Sequence, residues 1–301
     1  MTSPAIVIDV HSSNLKIGLS NKEAPSFIIP SIIGRPSLKN TYKIEDYELK
    51  PIMIGDEVTP VRQFLELSKP FENDKINDYY DAEILLDYLL FKKLKLNKNE
   101  IKDRKFFLVE SPLSSGKTIK EMAEILFERI GVRFLNFGSR AKMELYAEGN
   151  NSGVVIESGH NKTNIIPIMD GDLIRDKISS TEIGGEHITE YLSRLLLLKG
   201  YDLFYQVDYE FIKKIKEKHC FVSCDIDSDR KLERKTTYYN SYEKLPDGRK
   251  IRISSEKFEA PEILFTGNPF GYNMPGIHEL CFSCINVSIF IYFKLFYILE
   301  I

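Results

Sequence analysis

One pattern constrains this chain more than any other: a strand ending in a carboxylate, a short polar turn and a returning strand, written twice. The first copy is AIVIDV (5–10), His11-Ser12-Ser13 and NLKIGLS (14–20). The second is GVVIES (153–158), Gly159-His160-Asn161 and KTNIIPIMDG (162–171). Alternation and β-branched residues mark the strands, while Ser, Gly and Asn supply turn chemistry. Asp9 and Glu157 sit near the ends of the two first strands, about half of the 301-residue chain apart. A further strand signal covers 26–33. Helical periods follow at 81–93, 118–130, 186–198 and about 208–218, and Leu245-Pro246-Asp247-Gly248-Arg249 reads as a hairpin turn. Strands alternating with helices make the class α/β.

Composition narrows the possibilities. With 43% hydrophobic and 28% charged residues the chain is globular. A net charge of −3 and a pI near 6.1 argue against a general nucleic-acid or anionic-membrane binder. The basic runs at 92–105 and 213–218 read as solvated helix faces or loops. Cys220, Cys224, Cys281 and Cys284 indicate a reduced, intracellular protein. Cys281 and Cys284 have C-x-x-C spacing but lack a second pair at zinc-site distance. Met1-Thr2-Ser3-Pro4 has neither the basic nor the apolar region of a signal peptide. The apolar run INVSIFIYFKLFYILEI (285–301) is short for a bilayer span and carries Lys294 near its centre. It is expected to form a buried strand or helix, or to be a segment without its proper partner.

SPLSSGKTI (111–119) contains half of a phosphate-binding P-loop, between a strand-like and a helix-like run. A P-loop needs glycine where Ser111 stands, so that backbone N–H groups can wrap phosphates. Pro112 has no N–H to give, and Leu113 crowds the loop. The expected role is a helix cap supplied by Ser114, Ser115 or Thr118. The two hairpins offer another phosphate site. Turns facing one another across a cleft can present N–H groups to a polyphosphate, and Asp9 and Glu157 can hold a hydrated Mg²⁺. Ser12 and Ser13 add donors, and Lys16 adds a point charge.

With these features the chain resembles the actin superfamily. The matching segments run in order: PSIIGRP (30–36), IGDE (54–57), ESPLSSGKTIKEMAEILFE (110–128), ELYAEG (144–149), ESG (157–159), GGEHITEYL (184–192), IKEKHCFV (215–222), LPDGR (245–249) and FEAPEILF (258–265). LLLLKGY (195–201), the SYEKLPDGRKIRI stretch and the insert around 39–51 are similar to the subfamily found in the complex that nucleates branched actin filaments. The resemblance implies the fold shared by actins, chaperone-type ATPases and sugar kinases, with two similar α/β lobes around a nucleotide cleft. The first lobe would span 1–150 with a small outer subdomain at about 33–70. The second would span 151–284, with an outer subdomain at about 186–262, leaving 285–301 as an atypical tail.

Roles carry over by position. Asp9, Ser12, Ser13, Asn14, Leu15 and Lys16 match the family's first phosphate loop. Glu157, Gly159, His160, Asn161 and Lys162 match the second. Gly185 lies at the ribose side, and Lys213, Lys216 and Glu217 match side chains bordering base and ribose. For Lys216 and Glu217 the plainer reading is a neighbouring pair on a solvated helix. The implied cofactors are ATP or ADP with Mg²⁺, the metal held through water by Asp9 and Glu157. The implied partners are another actin-related protein, further complex subunits and actin filaments, with no nucleic acid and no membrane span. The implied location is the cytoplasm and its cytoskeleton, with the nucleus also open.

Departures fall on the chemistry. The family's second loop usually has Asp, Asp and Gly where this chain has Glu157, His160 and Asn161. The glutamate is one methylene longer, and His160 could contact phosphate. The family's water-orienting Gln and His correspond to Arg140 and Asn164, and an arginine cannot accept a proton. Hydrolysis is therefore expected to be slow or absent. After 286 the family's adenine-side loop and C-terminal segment do not appear, so part of the family fold is expected to be missing or replaced. Two other functions stay open. One is a subunit of a chromatin-remodelling or dynein-activating assembly. The other, a phosphotransferase, needs an Asp base and sugar loop that no segment matches.

Overall fold

The computed structural model describes residues 3–37, 43–44, 47–203, 205–245, 248–266, 274–287 and 295–299. Part of the insert at 39–51, Pro246 and Asp247 of the expected hairpin turn, and 288–294 and 300–301 of the apolar tail lie outside the described residues. The chain forms two compact units, 1–151 with 171–173, and 152–170 with 174–301.

In the first unit β1 (Ile6–Val10), β2 (Asn14–Leu19) and β3 (Phe27–Pro30) form an antiparallel meander. The expected strand at 26–33 breaks in two, because the chain turns at Ser31 and resumes at Ile33–Pro36. A separate three-stranded sheet uses that second piece. Ile33–Pro36 pairs with Met53–Ile54 and Leu65–Ser68, over a small core of Ile32, Leu49, Met53, Val58, Val61 and Leu65.

Helix α1 (Tyr79–Asp87) starts where the Asp78 carboxylate accepts the Asp81 N–H at 2.9 Å. It continues through a wider turn to Lys93, burying Leu85, Leu86, Leu89 and Leu90 with Ile6, Ile8, Ile17 and Leu108. Arg35 forks onto the buried Asp81, one bond being 3.0 Å, and holds that carboxyl below its usual range. Strand β4 (Lys105–Glu110) lies parallel to β1, and β5 (Phe134–Ser139) lies parallel to β4. The sheet order is β5-β4-β1-β2-β3.

The Gly-Lys-Thr stretch is a helix start. Ser115 Oγ accepts the Thr118 N–H at 3.1 Å, so of the three candidate caps Ser115 fills the place. Helix α2 (Gly116–Glu124) follows, and exposed Lys117 pairs with Glu121 one turn on. Helix α3 (Arg140–Ala147) leaves the end of β5 directly.

The second unit repeats the motif. Strand β6 (Gly153–Ser158) runs antiparallel to β7 (Thr163–Met169), and β8 (Ser179–Thr181) adds to β7. All six residues of β6 are buried, as expected of a strand covered on both faces. Helix α4 (Gly185–Leu198) packs with α5 (Tyr205–His219) around Ile188, Leu192, Leu196, Ile212 and Ile215. Helix α6 (Ile277–Val287) sets Cys281 and Cys284 among Val154, Ile156 and Ile165. The apolar tail then supplies β9 (Leu295–Leu299), which pairs in parallel with β6. The tail is thus helix at its start and strand near its end. Each carboxylate-bearing strand has an antiparallel neighbour on one side and a parallel one on the other: β1 has β2 and β4, β6 has β7 and β9. Among the described residues no helix is long and apolar enough to cross a membrane.

Candidate functional site

In the first unit the β1–β2 register puts Asp9 opposite Lys16, with Val109 of β4 on the other side. The turn between them closes through His11 N–H to the Asn14 carbonyl at 3.0 Å. Ser31 N–H donates to Ser13 O at 2.8 Å, tying the turn to the following segment. Residues two apart on a strand share a face, so His11 lies over Asp9, and its Nε2 is 2.6 Å from Asp9 Oδ2. A carboxylate only accepts, so Nε2 donates.

Arg140, the first residue of α3, reaches the other oxygen. Its Nη2 and Nε lie 3.1 and 3.3 Å from Asp9 Oδ1, and Nη2 also donates to Val10 O at 2.9 Å. Burial by itself would raise the Asp9 pKa. The His11 hydrogen bond and the Arg140 charge outweigh it and bring the pKa down to about 2. Beneath the turn a cavity of about 50 Å³, lined by His11, Ser12, Ser111, Ser114 and Thr118, has room for a few waters but not for a nucleotide.

The second turn is built differently. Gly159 N–H donates to Lys162 O at 2.9 Å, and Ser158 Oγ and Thr163 Oγ1 meet at 3.0 Å below it. The turn rests on the start of α4: Gly185 N–H donates to Gly159 O at 2.9 Å and Glu186 N–H to His160 O at 2.7 Å. Gly184 makes this contact possible. A Cβ there would fall 2.5 Å from Gly159 O, and 2.7 Å from both His160 O and Lys162 N. The His160 ring faces Glu186, with Nε2 3.3 Å from Oε2. Glu157 is buried opposite Asn164. The Asn164 Oδ1 has no hydrogen-bond partner among the described residues.

Lys216 is not on a solvated face. It is 4% exposed, and its ammonium donates to Gly185 O at 2.9 Å. Burial, only partly offset by Glu217, brings its pKa down to about 8. Lys213 and Glu217 form a partly exposed pair at 3.8 Å. The structure thus brings Asp9 and Lys16 together in the first unit, and the second turn, Gly185 and Lys216 together in the second. Three participants were missed in the sequence. His11 was legible through its i,i+2 relation to Asp9, and Gly184 through the glycine doublet at a helix start. Glu186 gave no signal until the turn was seen resting on α4.

The resemblance read from the sequence implies a divalent cation near Asp9. The residues present do not suit one there. Both carboxylate oxygens already hold hydrogen bonds, and the adjacent guanidinium cancels the charge that would attract a hydrated Mg²⁺.

Residues 1–290 match the family model for actin. Among curated relatives, "Actin-related protein 2" of Schizosaccharomyces pombe is 36% identical over 288 residues, covering 96% of this chain and 73% of that protein. Its counterpart in Saccharomyces cerevisiae is 38% identical, covering 93% of this chain and 71% of the relative. That of Drosophila melanogaster is 35% identical, covering 94% and 72%. The chain belongs to the actin family.

Proposed function

We infer that this chain is an actin-like structural subunit of the complex that nucleates branched actin filaments. The observation that carries this reading is the shared name, Actin-related protein 2, of relatives from fungi, amoeba, nematode and fly, each matching at least 93% of the chain. The proposed partners are another actin-related protein, the remaining complex subunits and actin filaments, in the cytoplasm and its cytoskeleton. Affinity purification of the tagged chain is the test. Recovery of branching-complex subunits supports the reading, and recovery of remodeller or dynein-activator subunits overturns it.

The proposed ligand is ATP or ADP. Ser12, Ser13, Asn14 and Lys16 are the proposed phosphate contacts of the first unit, whereas Leu15 is completely buried in that unit's core. Gly159, Asn161 and Lys162 are those proposed for the second unit. Gly185, Lys213, Lys216 and Glu217 would border ribose and base. His160 is a weaker phosphate contact than its position implies, because its ring is directed at Glu186. Nucleotide would act by shifting a conformational equilibrium rather than through turnover. What supports slow hydrolysis is the state of the two positions at which the family orients water. Arg140 is bound to Asp9, and an arginine cannot take a proton, while Asn164 is buried in β7. Phosphate release from the purified chain is expected to fall well below that of actin assayed beside it, and comparable turnover would sink this part of the reading.

A further inference from the structure

The Asp9 carboxylate is satisfied from within its own unit. Oδ1 accepts two bonds from Arg140, Oδ2 accepts one from His11, and the same guanidinium holds Val10 O. The side chains of Arg140 and Asp9 are only 12% and 20% exposed, so solvent screens the pair weakly. Arg140 is also fixed in place, because it opens α3 directly at the end of β5, next but one to β1 in the sheet.

The electrostatic consequence concerns any polyphosphate at this turn. A bare Asp9 would face phosphate oxygens as a like charge, and a cation would have to lie between them. A guanidinium is charged at every accessible pH, and as part of the chain it need not be recruited from solution. With Arg140 on Asp9 the pair is electroneutral, and Lys16, opposite Asp9 in the register, adds a positive charge. Placing a hydrated divalent cation on Asp9 would mean pulling the guanidinium away or setting a double charge beside it, both unfavourable.

We infer that Arg140, seated on Asp9 with His11, takes the place of a divalent cation at the first phosphate turn, so that this chain binds nucleotide without needing metal at Asp9. The proposal rests on the nucleotide reading above. It makes Arg140 a built-in counter-charge rather than a damaged water-orienting residue.

The test is ATP binding to the full chain by calorimetry, with Mg²⁺ and with EDTA. Wild-type affinity is expected to change by less than about threefold when the metal is removed. Arg140→Gln, checked for an unchanged far-ultraviolet spectrum and a single cooperative melting transition above the assay temperature, is expected to make the loss about tenfold or more. Manganese electron paramagnetic resonance without nucleotide gives an independent readout: Mn²⁺ binding should be the same for wild type and Asp9→Asn. Wild-type affinity that collapses in EDTA overturns the proposal while leaving the nucleotide reading intact, and needs no variant. Loss of Mn²⁺ binding in Asp9→Asn also overturns it. Failure to bind ATP under either condition overturns both.

Discussion

The two carboxylate hairpins share a plan and differ in how their charges are settled. Around β1, Asp9 is held by an arginine 131 residues away and a histidine two residues away, and its charge is stabilised well beyond that of a free aspartate. Around β6 the turn is seated by packing. Gly184 lets backbone meet backbone, and the nearby ammonium of Lys216 is buried against a carbonyl at a cost to its charged form. Topology was duplicated and chemistry was not. One turn is fixed mainly by charge, the other mainly by shape.

The largest test of this contrast is Lys216. A lysine whose folded pKa is depressed imposes a penalty below that pKa, and the penalty fades as pH rises to the unfolded value. Between pH 8 and 10.5 the wild type should therefore gain about 3 kcal/mol relative to Lys216→Met. Urea unfolding across that range measures it, and a constant difference would mean the amine is not buried in its charged form.

Next comes Gly184→Ala, whose methyl would meet three backbone atoms that have little freedom to yield. It should cost roughly 2–3 kcal/mol in denaturant unfolding. The same change at Gly116, where a Cβ would meet nothing within 4 Å, should cost no stability, so the pair isolates the shape-fixed turn.

The charge-fixed turn is tested in acid. Asp9 has a folded pKa near 2, below its unfolded value of 3.8, so its contribution is present above pH 4 and is lost as pH falls through 2. Over that window the wild type should lose about 2 kcal/mol relative to Asp9→Asn. Parallel unfolding curves for the two proteins from pH 5 to pH 2 would refute the clamp. The smallest effect belongs to Lys117→Ala. Its exposed pair with Glu121 is worth about 0.5 kcal/mol or less, and nucleotide affinity should not change. A large loss of affinity would return SPLSSGKTI to consideration as a phosphate site.

Much of the fold was legible because its signals are local. Alternation placed β1, β2, β6 and β7, helical periodicity placed α1, α2, α4 and α5 within a few residues, and Pro112 excluded the P-loop. The reading failed where partners are distant. A solvated face was expected for Lys216, because its neighbours in sequence are charged; packing of α5 against α4 turned the residue inward. The break at Ser31 was signalled by Pro30-Ser31, which interrupt the apolar residues on either side, and the reading of 26–33 as one strand passed over it. Nothing near His160 in sequence announced that Glu186 would stand beside its ring.

The sequence by itself determined the α/β class, the doubled hairpin and the chemical types placed at each turn, since strand period, turn residues and the missing N–H of a proline are properties of a few adjacent residues. Only the tertiary structure decided what those groups do to one another. That Arg140 neutralises Asp9, that Gly184 must have no side chain, and that Leu295–Leu299 pairs with β6 all depend on segments far apart in the chain meeting in space. Hydrogen bonding and van der Waals repulsion act over a few ångströms and screened charges over about 10 Å, and only the folded chain brings those groups within that range.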